Sequence, residues 1–266
     1  MNDSTIHEPP QPQKRGLPWG NYFREFLMLF LAVFCGYLAE DFRENHQEKV
    51  RAKELAVRFY RELKQDSVIL QKALVNRRGK NESLQFLSDS LSQLALTKPS
   101  RTFTSHLVKT FYTYSRGSFV PQKVIVEQVR LSGSQIFFQN GNLQQLIGEL
   151  ATSIEMIEAR NEIEYVYFKE NLRPFMLKHF DAKWLRHIRQ KGLIHTANKL
   201  DTFTAGRSFV PPRIRNVEQV NIPEIGNMLS YRMEMSYNTM SSQYGGYNVV
   251  NAKLLNELRK SYSLKD

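Results

Sequence analysis

The chain has 266 residues and a formal net charge of +11, from 37 lysines and arginines against 26 aspartates and glutamates. Hydrophobic residues make up 41% and aromatic residues 12%, which excludes a wholly disordered chain because such chains lack the apolar surface for a core. A single cysteine excludes an intrachain disulfide and a cysteine-based metal site. The positive charge favours anionic partners such as lipid or nucleic acid.

The first strong pattern is an apolar run, Phe26 to Ala39, without a charged side chain. Extended to residues 22–42 it has about 20 residues, which at ~1.5 Å per residue matches a ~30 Å hydrocarbon core. Residues 1–21, rich in proline and polar side chains at their start, predict a flexible tail. The sequence predicts a transmembrane helix with the membrane-anchor residues Trp19, Tyr22, Phe23, Phe26, Leu27, Leu29, Phe30, Leu31, Val33, Phe34 and Leu38.

Two other interpretations of this run stay open. A buried core helix of a water-soluble protein has a similar apolar length. A cleaved signal peptide is disfavoured, because about twenty mostly polar residues precede the run and residues 36–40 form a poor cleavage site. Cys35, inside the run, is expected to be a small packing residue rather than a reactive thiol.

Residues 37–78 contain neither proline nor glycine, and apolar residues recur there every three or four positions. This pattern predicts that the anchor helix continues as a stalk and ends at Gly79. Further helices are predicted for Glu82 to Leu96 and for about Thr102 to Tyr114. The small basic groups of the chain, which include Arg77, are expected on a solvated or lipid-facing surface.

A long amphipathic helix is predicted after Asn142, a good N-cap. Its apolar stripe runs from Leu143 to Leu172 and includes Asn161 and Tyr165. Such a stripe packs either in an intramolecular bundle, which the neighbouring helices favour, or in an oligomeric coiled coil. Asn161 either sets the register or faces water. The acidic residues expected on a solvated face of this helix are Glu155, Glu158, Glu162 and Glu164.

Residues 175–194 predict a basic helix, residues 196–212 a loop, and residues 223–262 a helical segment that breaks or kinks at Gly245 and Gly246. No segment has the pattern of a run of strands. The predicted fold class is therefore all-α: a transmembrane helix, a stalk, and a bundle of amphipathic helices within residues 43–266.

A short motif occurs twice, as Ser118 to Pro121 and as Ser208 to Pro211, each followed by Val-Glu-Gln-Val. The residue before proline is held extended, so each copy predicts a loop that leads into a helix, with its phenylalanine in the core. The two copies indicate an internal duplication or a chance similarity of short turns. The possible ligand or partner contacts near these loops are Phe119, Phe209, Arg213 and Arg215.

The sequence contains no phosphate-binding glycine loop, zinc-protease motif or serine nucleophile elbow. His179, His187 and His195 are each about 80° apart around a helix, so they do not converge on one metal ion. No cofactor or metal is predicted, and enzyme activity is disfavoured. Nucleic acid is also disfavoured, since the basic groups are scattered and lack clustered stacking aromatics.

Two stretches, Phe23 to Asp66 and Val126 to Ile147, resemble a bacterial family of single-anchor proteins known as domains of unknown function. In that family an apolar helix leads into a charged helix with an E-L-x-x-D-like segment, here Glu62, Leu63 and Asp66. A Ser-Gly turn then precedes a short apolar segment and a helix; this chain departs from the family pattern at residues 135–138. The resemblance implies an anchored helical domain and supplies no catalytic residues.

The sequence therefore predicts a single-pass protein of the bacterial inner membrane that acts as a protein-interaction or scaffolding module. Its expected partners are the lipid bilayer and a protein partner or further copies of the chain. The alternative is a membrane-tethered small-ligand sensor or enzyme with an interhelical pocket. More lysines and arginines follow the apolar run than precede it, which by itself favours the N-terminal tail outside the cytoplasm. Long domains translocate largely regardless of nearby charge, however, and the C-terminal domain is expected outside the cytoplasm.

Overall fold

The computed structural model describes residues 19–111, 118–131, 138, 140–190, 204–207 and 209–264. The regular structure of these residues is helical, so the predicted all-α class is confirmed. One isolated bridge joins Phe180 to Ile214. The helices are α1 (Trp19–Ser90), α2 (Gln93–Thr97), α3 (Arg101–Phe111), α4 (Val124–Leu131), α5 (Gly141–Tyr167), α6 (Arg173–His179), α7 (Ala182–Gln190), α8 (Ile222–Asn238) and α9 (Gly245–Tyr262), with π-helical segments π1 (Phe168–Leu172) and π2 (Thr239–Tyr244) and a 3-10 turn (Val217–Gln219).

The chain divides into two compact units, Met1–Arg51 and Ala52–Asp266. The described part of the first unit is the N-terminal portion of α1, whose characterised side chains are exposed. The buried residues of the described chain all belong to the second unit, beginning at Ala52.

Three long helical rods organise the second unit. Tyr247, Asn251 and Arg259 of α9 contact Asp66, Leu63 and Tyr60 of α1 in that order, so the two helices are antiparallel. The start of α5 shares a core with the earlier part of α1, and the π1 and α6 segments that follow α5 share a core with its later part. The α5 rod therefore runs parallel to α1, and the rod formed by α8, π2 and α9 runs antiparallel to both.

Two apolar cores lie along these rods. The first core joins the Leu55–Ala73 portion of α1 to α4, α5 and α9, and includes Phe119. The second core joins Leu84 and Leu87 of α1 to α3, π1, α6 and α8. Each fully buried Leu, Ile or Phe contributes about 1.5–3 kcal/mol relative to an exposed one, so both cores are substantial. Arg77 of α1 lies between the two sets of core residues along the helix.

The prediction that Gly79 ends the stalk is wrong, because α1 continues to Ser90. A glycine inside a helix costs about 1 kcal/mol relative to alanine, and burial of the apolar side chains of Leu84 and Leu87, which follow it, and of Ala73, which precedes it, outweighs that cost. The predicted separate helix from Glu82 is accordingly the end of α1. The chain then enters the short α2, whose first turn is capped by Ser92.

Asn140, not Asn142, is the N-cap of α5: its side chain accepts hydrogen bonds from the backbone N–H groups of Asn142 and Leu143. The sequence Asn-Gly-Asn offers two capping residues, and local pattern alone does not separate them. Of the predicted break or kink at Gly245 and Gly246, a break does not occur, since the helix passes through π2 directly into α9.

Pro174 lies in the first turn of α6, directly after π1. A proline lacks the N–H that an α-helix interior needs and crowds the preceding turn. The widened π turn accommodates this loss, so the rod continues past the proline. Predicted features within residues 1–18, 112–117, 132–137, 139, 191–203 and 208 lie outside the described residues.

Candidate functional site

The predicted membrane-anchor residues are all exposed on the first unit, from 42% for Leu27 to 82% for Trp19. α1 contains an apolar window long enough to cross a membrane, and none of that window is buried. The rings of Phe26, Phe30 and Phe34 stack along one side, at centroid distances of 6.3 and 5.9 Å. The interpretation as a core helix of a water-soluble protein requires this segment to be buried among other helices. In the described structure it is not buried.

A buried charged centre lies in the second unit, around the fully buried carboxylate of Glu164. Arg77 donates from its two terminal nitrogens to the two carboxylate oxygens, at 3.0 Å each. Arg232 donates to one of those oxygens at 2.9 Å, and the Thr239 hydroxyl donates to the other. We call these four residues the charged centre.

The carboxylate of Glu164 is fully used by these four hydrogen bonds, since a carboxylate offers about four lone-pair positions. Burial by itself raises the pKa of Glu164, but attraction to Arg232 and Arg77 and hydrogen bonds from Arg77 and Thr239 outweigh it and hold the pKa below its ordinary value. Burial likewise opposes the charged form of Arg77, but Glu164 more than compensates, so the pKa of Arg77 is raised. The Glu164 carboxylate is therefore held in its ionised form.

π2 places two side chains on this centre. Thr239, the first residue of π2, contacts Glu164, and Tyr244, the last, contacts Arg77 at 3.1 and 3.2 Å. In an α-helix residues five apart point about 140° away from each other, whereas the wider π turn brings them closer to one face. The π geometry is thus the local reason that both ends of π2 contact the centre.

Tyr244 also connects the charged centre to the first motif loop. Its hydroxyl accepts a hydrogen bond from the backbone N–H of Phe119 at 2.7 Å. The Asn161 side chain donates to the backbone carbonyl of Phe119 at 2.8 Å. Asn161 is half-buried, and its hydrogen bond fixes the first motif loop. The sequence did not predict this contact.

A second buried polar cluster lies around Asp66, about three turns before Arg77 on α1. Its carboxylate accepts hydrogen bonds from the hydroxyl of Tyr247 at 2.6 Å and from the backbone N–H of Gln122 at 3.0 Å. Glu62, one turn earlier, accepts from the N–H of Ile125 at 3.4 Å. Two α1 carboxylates thus satisfy backbone donors at the start of α4, where a helix leaves N–H groups without partners.

Burial raises the pKa of Asp66 and of Glu62, although hydrogen bonds from Tyr247, Gln122 and Ile125 oppose the shifts. Burial and the neighbouring Asp66 carboxylate raise the pKa of Tyr247. The resemblance to the single-anchor family includes Glu62 and Asp66, and in the structure these two residues fix the loop before α4.

The four residues predicted as ligand or partner contacts do not form one site. Phe119 is fully buried in the first core and packs edge-on against Tyr244 and Tyr247. Phe209 is half-buried beside Trp184, under the guanidinium of Arg101 at 4.9 Å. Arg213 and Arg215 are exposed; Arg215 pairs with Asp181 at 3.2 Å.

The two motif copies lead into different structures. The first leads into α4, as predicted. The second leads into the 3-10 turn that begins at Val217. The preceding residue, Asn216, adopts the left-handed backbone conformation with a φ of 49°. The prediction of a recurrent loop-to-helix geometry is therefore correct for one copy only.

The sequence missed the charged centre. Glu164 was expected on a solvated face and Arg77 on a basic surface, but both are buried. The available signal was position: Glu164 lies seven residues after Ile157 and four before Phe168, in register with the buried stripe. Tyr165, assigned to that stripe, is 43% exposed instead.

No group of three or more potential metal-ligating residues is present in the part of the chain that the structure describes. His179 is buried and its ring nitrogen Nδ1 lies 2.9 Å from the carbonyl oxygen of Arg215, so it joins α6 to the segment before the 3-10 turn.

Comparison with protein-family models, curated proteins and solved structures finds no match for the chain. The resemblance to a bacterial single-anchor family stays a prediction. The fold defines an all-α protein with one long apolar N-terminal helix and a separate helical unit.

Proposed function

We propose that the chain is a single-pass membrane protein whose second unit is a helical protein-interaction module. The observation that carries the proposal is the exposure of the membrane-anchor residues. An exposed large apolar side chain forgoes about 1.5–3 kcal/mol relative to a buried one. Monomeric water-soluble proteins rarely expose a contiguous apolar surface of this extent, and such a surface marks contact with a membrane or with another protein.

The character of the segment supports contact with a bilayer. Its length of about 20 residues matches the hydrocarbon thickness. Trp19, Tyr22 and Phe23 precede the apolar run, where amphipathic rings prefer the membrane interface. Charged residues resume at Glu40 and Asp41, on the other side of the run.

An interaction role for the second unit is supported by how it uses its buried charges. Glu164 has no lone pair left for a substrate, and Asp66 is engaged by Tyr247 and Gln122. Groups engaged in this way fix helices and loops rather than transfer protons. No observation specifically favours the sensor or enzyme alternative, since the motif loops lie in different clusters.

In the finer assignment, the bacterial membrane rests on the resemblance to the single-anchor family, and the orientation rests on the translocation of long domains largely regardless of nearby charge. We place the protein in the bacterial inner membrane, with the C-terminal unit outside the cytoplasm, where it binds a protein partner or further copies of itself. Labelling an engineered Lys253→Cys in a Cys35→Ser background from outside intact cells tests the orientation. Labelling only after cell lysis would mean that the C-terminal unit lies in the cytoplasm, which contradicts the proposed orientation.

Carbonate washing of membranes tests the anchor. We expect the full chain to stay in the washed membrane pellet and the variant Leu29→Arg/Val33→Arg to be released, because each central arginine costs about 2.5–3.5 kcal/mol in a bilayer. The matched control is Val68→Arg/Val75→Arg, at exposed α1 positions of the second unit. Recovery of the unaltered full chain in the soluble fraction would overturn the proposal.

Crosslinking in native membranes tests the interaction role. We expect crosslinks from exposed lysines of the second unit to a specific protein or to a second copy. If the chain is recovered without crosslinks under conditions that capture known membrane complexes, the interaction role is wrong.

A further inference from the structure

Two segments of the second unit carry a local excess of exposed positive charge. Among the described residues of the ranges 173–190 and 204–215, eight are lysine or arginine, and one, Asp181, is acidic. All eight cationic residues are exposed. These residues contribute a large part of the net positive charge of the whole chain.

The two segments are joined by hydrogen bonds. The indole N–H of Trp184 in α7 donates to the carbonyl of Val210 at 2.8 Å. The backbone N–H of Asp181 donates to the carbonyl of Arg213 at 3.1 Å, and Arg215 donates to the Asp181 carboxylate. Arg213 and Arg215 therefore lie beside the start of α7, next to Lys183, whose backbone N–H donates to the same Asp181 carboxylate. We call Lys183, Arg186, Arg189, Arg213 and Arg215 the basic patch.

α7 is held rigidly with its cations outward. Asp181 caps its first turn by accepting hydrogen bonds from the N–H groups of Lys183 and Trp184. Trp184 and Ile188 are buried against Val108, which fixes the apolar face inward. Lys183, Arg186 and Arg189 are each three residues apart and share the opposite, exposed face. Arg215 is the patch member with an ion pair among the described residues.

We infer that the basic patch binds the anionic headgroups of a phospholipid surface. Its cations are spread over an exposed face, and Val210 adds a 48% exposed aliphatic side chain beside them. A fluid anionic bilayer suits such a face, because each cation finds a phosphate without a fixed partner geometry.

The aromatic residues of the region disfavour nucleic acid. Binding of nucleic acid uses exposed rings on which bases stack. Trp184 is buried, and the Arg101 guanidinium covers the ring of Phe209. The inference goes beyond the proposed function and does not depend on it, because the vesicle surface is supplied in the test.

The test uses the full chain in phosphatidylcholine nanodiscs and measures flotation with added vesicles. We expect binding to vesicles that contain phosphatidylglycerol and none to pure phosphatidylcholine. Each Lys or Arg near an anionic surface contributes roughly a fivefold gain in affinity, so Lys183→Gln/Arg186→Gln/Arg189→Gln should bind about 100-fold more weakly. These side chains are exposed, and the variant should stay folded.

The matched control removes the same charge elsewhere, as Lys72→Gln/Arg78→Gln/Lys253→Gln at exposed positions of α1 and α9. We expect its affinity to stay within about threefold of the unaltered chain. Equal weakening of the two variants, or no binding by the unaltered chain, would overturn the inference. Patch-dependent binding of duplex DNA that is tighter than binding of the vesicles would also overturn it.

Failure of the anchor proposal gives a different result. A chain that does not enter nanodiscs refutes the membrane anchor, and the same vesicle comparison on the water-soluble chain then decides the basic patch separately.

Discussion

Arg77 and Glu164 form a two-bond ion pair across 87 positions of sequence, with both hydrogen bonds at 3.0 Å and both side chains almost completely buried. The pair joins the α1 rod to the α5 rod. Arg232 adds the third rod, at 2.9 Å from the same carboxylate. One carboxylate thus fixes the relative register of all three rods.

Glu164→Gln should destabilise the second unit by about 3–5 kcal/mol, because it leaves buried guanidinium groups without a compensating charge. Denaturant unfolding of the full chain in detergent measures the change. The control is Glu162→Gln, two residues away and exposed, which should change the free energy of unfolding by less than about 0.5 kcal/mol. Equal effects of the two substitutions would contradict the structural role of the charged centre.

The pH dependence of stability should identify Glu164. Its pKa is lowered by folding, so its contribution is complete above its ordinary pKa of 4.5 and is lost as pH falls through the lower folded pKa. Asp66 and Glu62, with raised pKa values, act in the opposite direction. The difference in unfolding free energy between the unaltered chain and Glu164→Gln should therefore shrink on acidification below about pH 4.5. A constant difference down to about pH 2 would be inconsistent with this assignment.

Tyr244→Phe should cost about 1–3 kcal/mol, since the Phe119 N–H and the Arg77 guanidinium lose a shared buried acceptor. Tyr237→Phe, at a 54% exposed position of α8, is the control and should be nearly neutral. Hydrogen exchange of the Phe119 amide gives a second measurement. It should speed up in Tyr244→Phe alone; unchanged protection of this amide would refute the bond.

Asp66→Ala should loosen the start of α4. It removes the acceptor for both the Gln122 N–H and the Tyr247 hydroxyl, which leaves two donors without that partner in a buried site. We expect a loss of about 2–4 kcal/mol in unfolding free energy and faster amide exchange at Gln122. Asp89→Ala, near the C-terminal end of the same helix, is the control. Slow exchange at Gln122 in Asp66→Ala would argue against the contact.

Periodicity predicted the helical class, the continuous helix after the anchor and the buried stripe of α5, because these depend on apolar spacing along one segment. It did not predict the charged centre, since an isolated glutamate or arginine has the same local pattern whether it faces water or a partner 87 residues away. Gly79 shows the same limit: its local preference favours an end, and packing of its neighbours on both sides overrides it.

The predictions of site residues show the same difference between features of one segment and features that depend on distant helices. The anchor residues share one continuous segment, and their apolar character was visible without knowledge of the fold. Phe119 and Phe209 share a motif but occupy different clusters, because short sequence similarity does not specify which helices cover a loop.

The single cysteine provides the most direct measurement of the central claim, that lipid surrounds the apolar segment. Cys35 lies within the segment and is exposed on the helix. In native membranes a water-soluble maleimide should leave Cys35 unmodified, because the thiolate that reacts forms in water, whereas denaturation in detergent should permit rapid labelling. Lys253→Cys in a Cys35→Ser background, in membranes open to the reagent on both sides, is the reactive control. Labelling of Cys35 at the rate of that control would contradict the account.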